Sequence, residues 1–513
     1  MISKKKNIFK NILLILLILI LLMLLLAVFR YNGYVEVFKN IINGKKTEKH
    51  IISGISINGI SLNYDFATST YYLPIKLDEN KEEKLNIEIN SDYNINSKIQ
   101  DKEFKKQIEI SEVLSYDKEF EIDVETWLYE KSYIIKFTNL PSISLKFNEE
   151  NIDFDYIYSE FLITAPMYEE NEAKYQYYDD AEVRYRGGST ADFFKKSYRV
   201  KLEKEVDFGI LGMKKSKTWI LDALATDLSC LRTKVASDIW NVMNEDLSEE
   251  KYAQLNAKYI ELYINGEYRG LYLLKETVDE ELLNLKDTGV LLKGVNWEKI
   301  NFDNYQNVEE EIFGPFEIKY PENVKEYPNA WKNILSKLEK YYRGYTSYDV
   351  MEKAFYKENF INHKIFLLIT QALDNYEYKN IYYSIIDNKE ETKVLITPWD
   401  LDLTFGMLWD NEANGFSEQY DRVREIVKPF GVVSDNKTSQ YYKDRWEYLS
   451  KTVLEKEEIN KLIDENYQYL MKARALEREN NKYYNTDVEE EKEEIKKWYD
   501  KRFNVIDEYI RAL

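Results

Sequence analysis

The chain has 513 residues, with 71 Lys plus Arg against 91 Asp plus Glu, a formal net charge of −20. Such acidity excludes a nucleic-acid binder that relies on general phosphate attraction, while leaving room for a local basic pocket that takes a small anion. Two histidines, His50 and His363, and one cysteine, Cys230, exclude an internal disulfide and a Cys/His zinc cluster, so chemistry falls to carboxylates, Lys, Arg, amides and hydroxyls.

Residues 1–30 carry Lys4, Lys5, Lys6 and Lys10 ahead of an unbroken apolar run from Ile12 to Phe29. As a helix that run spans about 27 Å, close to the hydrocarbon thickness of a bilayer. It is longer than a usual signal-peptide core, and no A-x-A-like site follows it. The expectation is an uncleaved single-pass anchor over residues 12–29, with a cytoplasmic amino terminus and the bulk of the protein outside the membrane. Residues 31–49 read as a juxtamembrane segment with a polar end, Asn43-Gly44-Lys45-Lys46.

Residues 50–150 change to short alternating runs: Ile55-Ser56-Ile57, Leu85 to Ile89, Tyr133 to Phe137 and Ile143 to Phe147. Period two with Asn, Asp, Gly or Pro nearby predicts a small antiparallel β domain, sandwich-like, with no catalytic constellation of its own. From residue 151 to 513 strands and helices mix, so the fold class of this domain is α+β. Glu182 to Arg186 and Ser197 to Leu202 read as strands around a Gly-Gly turn. Leu228 to Asn244 reads as a helix with Asp227 as its N-cap. Lys258 to Ile264 and Tyr268 to Leu274 flank Asn265-Gly266, a strong hairpin signal. Phe360 to Leu373 reads as a buried helix, and Ile381 to Ile386 with Lys393 to Ile396 as a second hairpin. The last sixty or so residues carry helical periodicity.

Two constellations could carry chemistry. Asp374-Asn375-Tyr376-Glu377-Tyr378-Lys379-Asn380 precedes the second hairpin, and Pro398-Trp399-Asp400-Leu401-Asp402 follows it. Pairing of the two strands brings both motifs to the open end of the hairpin, where Asp374, Asn380, Asp400 and Asp402 converge. Carboxylates with an amide oxygen are hard-oxygen donors suited to Mg²⁺, Mn²⁺ or Ca²⁺. The ordinary explanation is that these acids cap turns or pair with Lys and Arg. The other constellation is Arg184 to Thr190 followed by Lys195 to Leu202. Its glycines permit a tight turn whose N–H groups face an anion, in a dense basic patch that suits a polyphosphate. Walker A spacing is absent. Glu276, at the end of its strand, could face a cleft or cap the next segment.

Taken in order, these segments resemble the spore-coat CotH family of atypical, kinase-like protein kinases. The resemblance rests on R-G-G-S-T with K-K-S-Y-R-V-K-L, on W-I-L…D-L-S-C-L-R-T-K, and on I-N-G-E-Y-R-G-L-Y-L-L-K-E. D-N-Y-E-Y-K-N-I-Y-Y, P-W-D-L-D-L-T-F-G and W-Y-D-K-R-F-N-V-I-D extend it, so that it runs from about Tyr156 to the end. It implies a divergent two-lobed protein-kinase-like domain that binds ATP with Mg²⁺ or Mn²⁺ and phosphorylates Ser or Thr on coat or cell-surface proteins. Carried over residue by residue, Asp374 is the catalytic aspartate. Asn380, Asp400 and Asp402 hold metal. Arg186, Gly187, Gly188 and Ser189 form the phosphate-facing turn. Lys196 or Lys201 contacts phosphate, and Glu276 lies near the nucleotide. A catalytically inactive, kinase-like scaffold for coat or surface assembly is the alternative. A glycoside hydrolase using two of the same acids is a weaker one, separated by its independence of metal.

Overall fold

The computed structural model describes residues 18–21, 23, 40, 42–167, 175–188, 193–207, 211, 213–248, 251–297, 312–322, 331–342, 348–375, 378–389, 391–407, 436–484 and 486–513. The expected membrane segment lies almost wholly outside these residues. Among them, no helix is long and apolar enough to cross a membrane. The architecture is mixed α+β, and the chain divides into two compact units: residues 1–73 with 77–137, and residues 74–76 with 138–513.

The first unit is built from strands whose side chains alternate between a buried and a solvated face, as period two requires. In Glu82–Asn90 the residues Leu85, Ile87 and Ile89 are buried while Asn86 and Glu88 between them are exposed. This strand lies between Gly54–Ile57 and Gln107–Val113 in a four-stranded sheet. Glu119–Glu125, with Phe120, Ile122 and Val124 turned inward, pairs antiparallel with Tyr129–Thr138 in a seven-stranded sheet. Thr47–Glu48 of the expected juxtamembrane segment joins that sheet in parallel, opposite Tyr129 and Glu130.

The boundary falls at 137/138 rather than at 150, because the strand expected to finish the β domain belongs to the second unit. Ser142–Lys146 pairs antiparallel with Ile157–Thr164 and parallel with Ala257–Ile264. That parallel contact closes a seven-stranded barrel through Gln176–Arg186, Ser197–Asp207, Lys215–Asp222 and Glu267–Glu276. Closure leaves no open sheet edge, and Ile143, Leu145, Val183, Val200 and Leu262 fill the interior. The Asn265-Gly266 hairpin forms as expected, with both residues at positive φ (52° and 76°).

The helix expected from Leu228 starts at Arg232 and ends at Asn244. Residues before it turn instead, and the Asp227 carboxylate accepts from the Arg232 N–H at 2.7 Å and from the Arg232 guanidinium at 2.6 Å. Asp227 thus caps the helix from outside its first turn. A five-stranded sheet follows, in the order Ile312–Phe313, Phe316–Tyr320, Val290–Gly294, Ile381–Ile385 and Leu395–Pro398. The buried helix Lys357–Thr370 and the carboxy-terminal helices Asn436–Ser450, Lys456–Lys472, Ala475–Tyr483 and Val488–Arg511 share one continuous core with this sheet.

Candidate functional site

The helix Lys357–Thr370 stops where Gln371 turns left-handed (φ 50°), and Asp374 sits in the short turn Leu373–Asn375 that follows. Asn380 is also left-handed (φ 55°), a conformation Asn tolerates, and its N–H donates to the Gly294 carbonyl at 2.9 Å. A Cβ on Gly294 would lie 1.5 Å from the Tyr378 carbonyl oxygen, so only glycine lets this turn cross the sheet. In the hairpin Ile381 lies opposite Pro398, and the Trp399 N–H donates to the Asn380 carbonyl at 2.9 Å. The Asn375 side-chain amide donates to the carbonyls of both Asn380 and Trp399. The two acidic motifs are therefore stitched together by backbone.

A cleft of about 1100 Å³ opens between the outer face of the barrel and the five-stranded sheet. Asp374, Asn380, Asp400 and Asp402 line it, as do Arg186, Gly187 and Gly188 of the glycine turn. Asp374 accepts from Lys379 at 2.7 Å and from the Asn380 amide at 2.7 Å. Asp400, another left-handed residue (φ 59°), lies 3.7 Å from the Arg186 guanidinium. Asp402 accepts from the Thr226 hydroxyl at 3.2 Å.

Electrostatics separate these acids. Burial, with Asp400 and Asp222 beside it, pushes Asp402 up to about 7. Burial also raises Asp374, although Lys379 pulls the other way. Burial would raise Asp222 too, but Lys275, 2.9 Å away, and Arg186 hold it down to about 2. Lys275 further lies 4.9 Å from the centre of the Trp399 ring.

Other residues marked in the sequence lie elsewhere. Glu276 accepts from the Lys214 N–H at 2.5 Å and from the Asn256 amide at 3.0 Å, and it does not line the cleft. Lys275, its neighbour on the strand, does not line the cleft either and pairs with Asp222 at 2.9 Å. Lys201 is an exposed strand residue opposite Glu182 and Thr218. Lys196 stands 6.0 Å from the Tyr185 ring, and neither lysine lines the cleft. Ser189 lies outside the described residues. The sequence reading placed Arg199 in its basic patch without a role of its own, and it missed Lys275, Asp222 and Lys293. Of these, only Lys293 had a local signal, a lone cation in the apolar run Val290-Leu291-Leu292-Lys293-Gly294.

Among the described residues, no group of three or more His, Cys, Asp or Glu side chains is gathered so as to hold a metal ion. The donor chemistry nonetheless fits Mg²⁺ or Mn²⁺. Mg²⁺ commonly takes one or two carboxylates and completes its shell with water and substrate phosphate. Asp402, raised by burial and then by neighbouring acids, is a position where a divalent cation would relieve repulsion.

Comparison with known proteins gives one family match: the model described as CotH kinase protein fits residues 183–506. No curated protein matches the chain.

Proposed function

The chain belongs to the CotH kinase protein family, and from that premise we propose that it is an atypical protein kinase, transferring the ATP γ-phosphate to Ser or Thr of coat or cell-surface proteins. The observation that carries the reading is the shared cleft. Asp374, Asn380, Asp400 and Asp402, drawn from two separated motifs, face the Arg186-Gly187-Gly188 turn across it. Phosphoryl transfer needs little covalent chemistry from a protein; it needs positioning and compensation of charge.

On this reading the barrel and the five-stranded sheet act as the two lobes of a divergent kinase. Asp374 accepts the proton of the acceptor hydroxyl, and Lys379 opposes the rise that burial imposes on its carboxylate. Asp400 and Asp402, with the Asn380 amide oxygen, hold the divalent ion. When bound, that ion neutralises phosphate charge. Arg186 and the glycine turn face the phosphates. We extend the proposal to the anchor: residues 12–29 hold the protein in the membrane with its bulk outside, checked by extraction of the full chain from membranes with detergent but not with salt.

Purified protein incubated with radiolabelled ATP and Mg²⁺ or Mn²⁺ should label itself or a Ser/Thr-rich substrate. Labelling that survives both Asp374→Ala and Asp400→Ala would exclude this site. ATP-induced thermal stabilisation without any transfer would instead favour the inactive scaffold, a reading supported by the Arg186–Asp400 pair, which occupies an expected metal ligand with an internal cation.

A further inference from the structure

We propose that Lys293 and Arg199 form a phosphate-binding bridge across the cleft, one cation from each wall, which grips the phosphate chain of the nucleotide. This rests on the nucleotide reading above; Arg199 belongs to the basic patch marked in the sequence, whereas Lys293 lies in no motif marked there. Lys293 belongs to Val290–Gly294, whose other four members are buried at 1% exposure or less in Val290, Leu291 and Leu292 and equally enclosed at Gly294. Leu291 and Lys293 share a strand face, and both line the cleft. The ammonium lies 5.7 Å from the centre of the Tyr382 ring, its cross-strand neighbour. Among the described residues Lys293 makes no hydrogen bond or ion pair.

Arg199 presents the same vacancy from the barrel. It stands directly opposite Arg184 in the antiparallel pair, where like charges repel. Arg184 donates to the carbonyls of Tyr185 (3.3 Å) and Phe154 (3.5 Å) and packs against the Tyr156 ring. Both guanidiniums keep a buried Nε without a partner, but Arg199 also makes no other hydrogen bond and no ion pair among the described residues. A donor left without an acceptor in a partly desolvated place is costly, and the chain has acids to spare. No acid of the cleft pairs with Lys293 or Arg199 among the described residues. Glu317 pairs with Lys319, Asp374 with Lys379, and Asp400 with Arg186.

Tyr382 ties the arrangement together. Lys293 stands beside its ring, while Arg186 and Arg199 both act on its hydroxyl. Three cations drawn from both sheets thus line one cleft with Tyr382, next to the acids expected to hold metal. A multivalent anion satisfies them at once, and a phosphate chain supplies enough acceptors to reach both walls. Burial lowers the Lys293 ammonium to about 8, against the pull of Asp400, so a bound anion would also restore its charge.

The test is calorimetric titration of the purified full chain with inorganic triphosphate, ATP and adenosine, without metal. The wild type should bind inorganic triphosphate and ATP. Lys293→Met and Arg199→Gln should each weaken triphosphate binding by about tenfold or more, Lys293→Arg should retain most of it, and adenosine affinity should not move. Triphosphate affinities within about twofold of wild type in both variants overturn the bridge, as does an equal loss for adenosine. A second measurement needs no variant: triphosphate, but not adenosine, should protect Lys293 from an amine-reactive reagent, read by mass spectrometry, and an unprotected Lys293 overturns the proposal. ATP binding that persists unchanged in the variants removes the bridge alone, whereas a wild type that binds no ATP removes the nucleotide reading with it.

Discussion

Charges in the two units are handled differently. In the amino-terminal unit Lys118 lies 2.7 Å from Glu112 and Lys98 lies 2.8 Å from Asp101, at solvated strand and turn positions. In the second unit Lys195 and Glu479 make their 2.5 Å contact with side chains only 0% and 2% exposed, and Asp227 with Arg232 is buried as deeply. Beside such buried pairs, Lys293 and Arg199 face the cleft with no acid of their own. Exposed pairs add little to stability because water already solvates each partner. Buried ones are costly to break, and cations left unmatched mark where an outside ligand is expected.

The largest effect should come from the cleft acids. Asp374→Ala and Asp400→Ala should each lower phosphate transfer by at least about a thousandfold while leaving the melting temperature nearly unchanged, measured by label transfer beside a thermal scan. A parallel fall in melting temperature would make these acids structural, like those of the buried pairs.

Next in size is the Lys195–Glu479 lock. The Glu479 carboxylate also accepts from the Leu271 N–H at 2.8 Å, and a Cβ at Gly270 (φ 103°) would come within 2.3 Å of it. Lys195→Met should cost about 3–5 kcal/mol by stranding Glu479, and the double variant Lys195→Met/Glu479→Leu should recover most of that in denaturant unfolding. Recovery is expected because the penalty comes from an orphaned charge more than from a lost attraction.

A pH series sharpens the contrast further. The Lys293 ammonium is charged below about 8, so triphosphate affinity should fall as pH rises through that value. Stability of the empty protein should move the other way. The folded pKa is lowered, so between about 8 and the unfolded lysine value near 10.4 the unfolded chain binds more protons, and the Lys293 contribution to stability rises with pH. Lys293→Met should flatten both trends, read by titration calorimetry and thermal scans. The smallest effect belongs to the first unit: Lys118→Met should leave the melting temperature within about 2 °C.

Much of the site was legible because its parts are local. Asn380 and Asp400 flank one hairpin, so alternation and turn residues were enough to bring their motifs to one end of it. The Asn265-Gly266 hairpin was legible for the same reason, since its left-handed turn needs those residues wherever it occurs. Glu276 was marked for the cleft because a strand's sequence does not say which of its faces meets a cleft when both sides carry buried residues. The strand Ser142–Lys146 was assigned to the wrong domain because its alternation fits any half-buried sheet, and its parallel partner lies far along the chain.

By itself, the sequence determined most strands and helices, the acidic hairpin end, the exclusion of an internal disulfide and of a Cys/His zinc cluster, and the family, because these follow from composition, short-range periodicity, turn chemistry and ordered motifs. Tertiary structure alone decided the closed barrel, the pairing of Lys275 with Asp222, and the placing of Lys293, Arg199 and Tyr382 along one cleft. Those depend on pairing between distant strands, where one residue's shift in register exchanges a buried face for a solvated one.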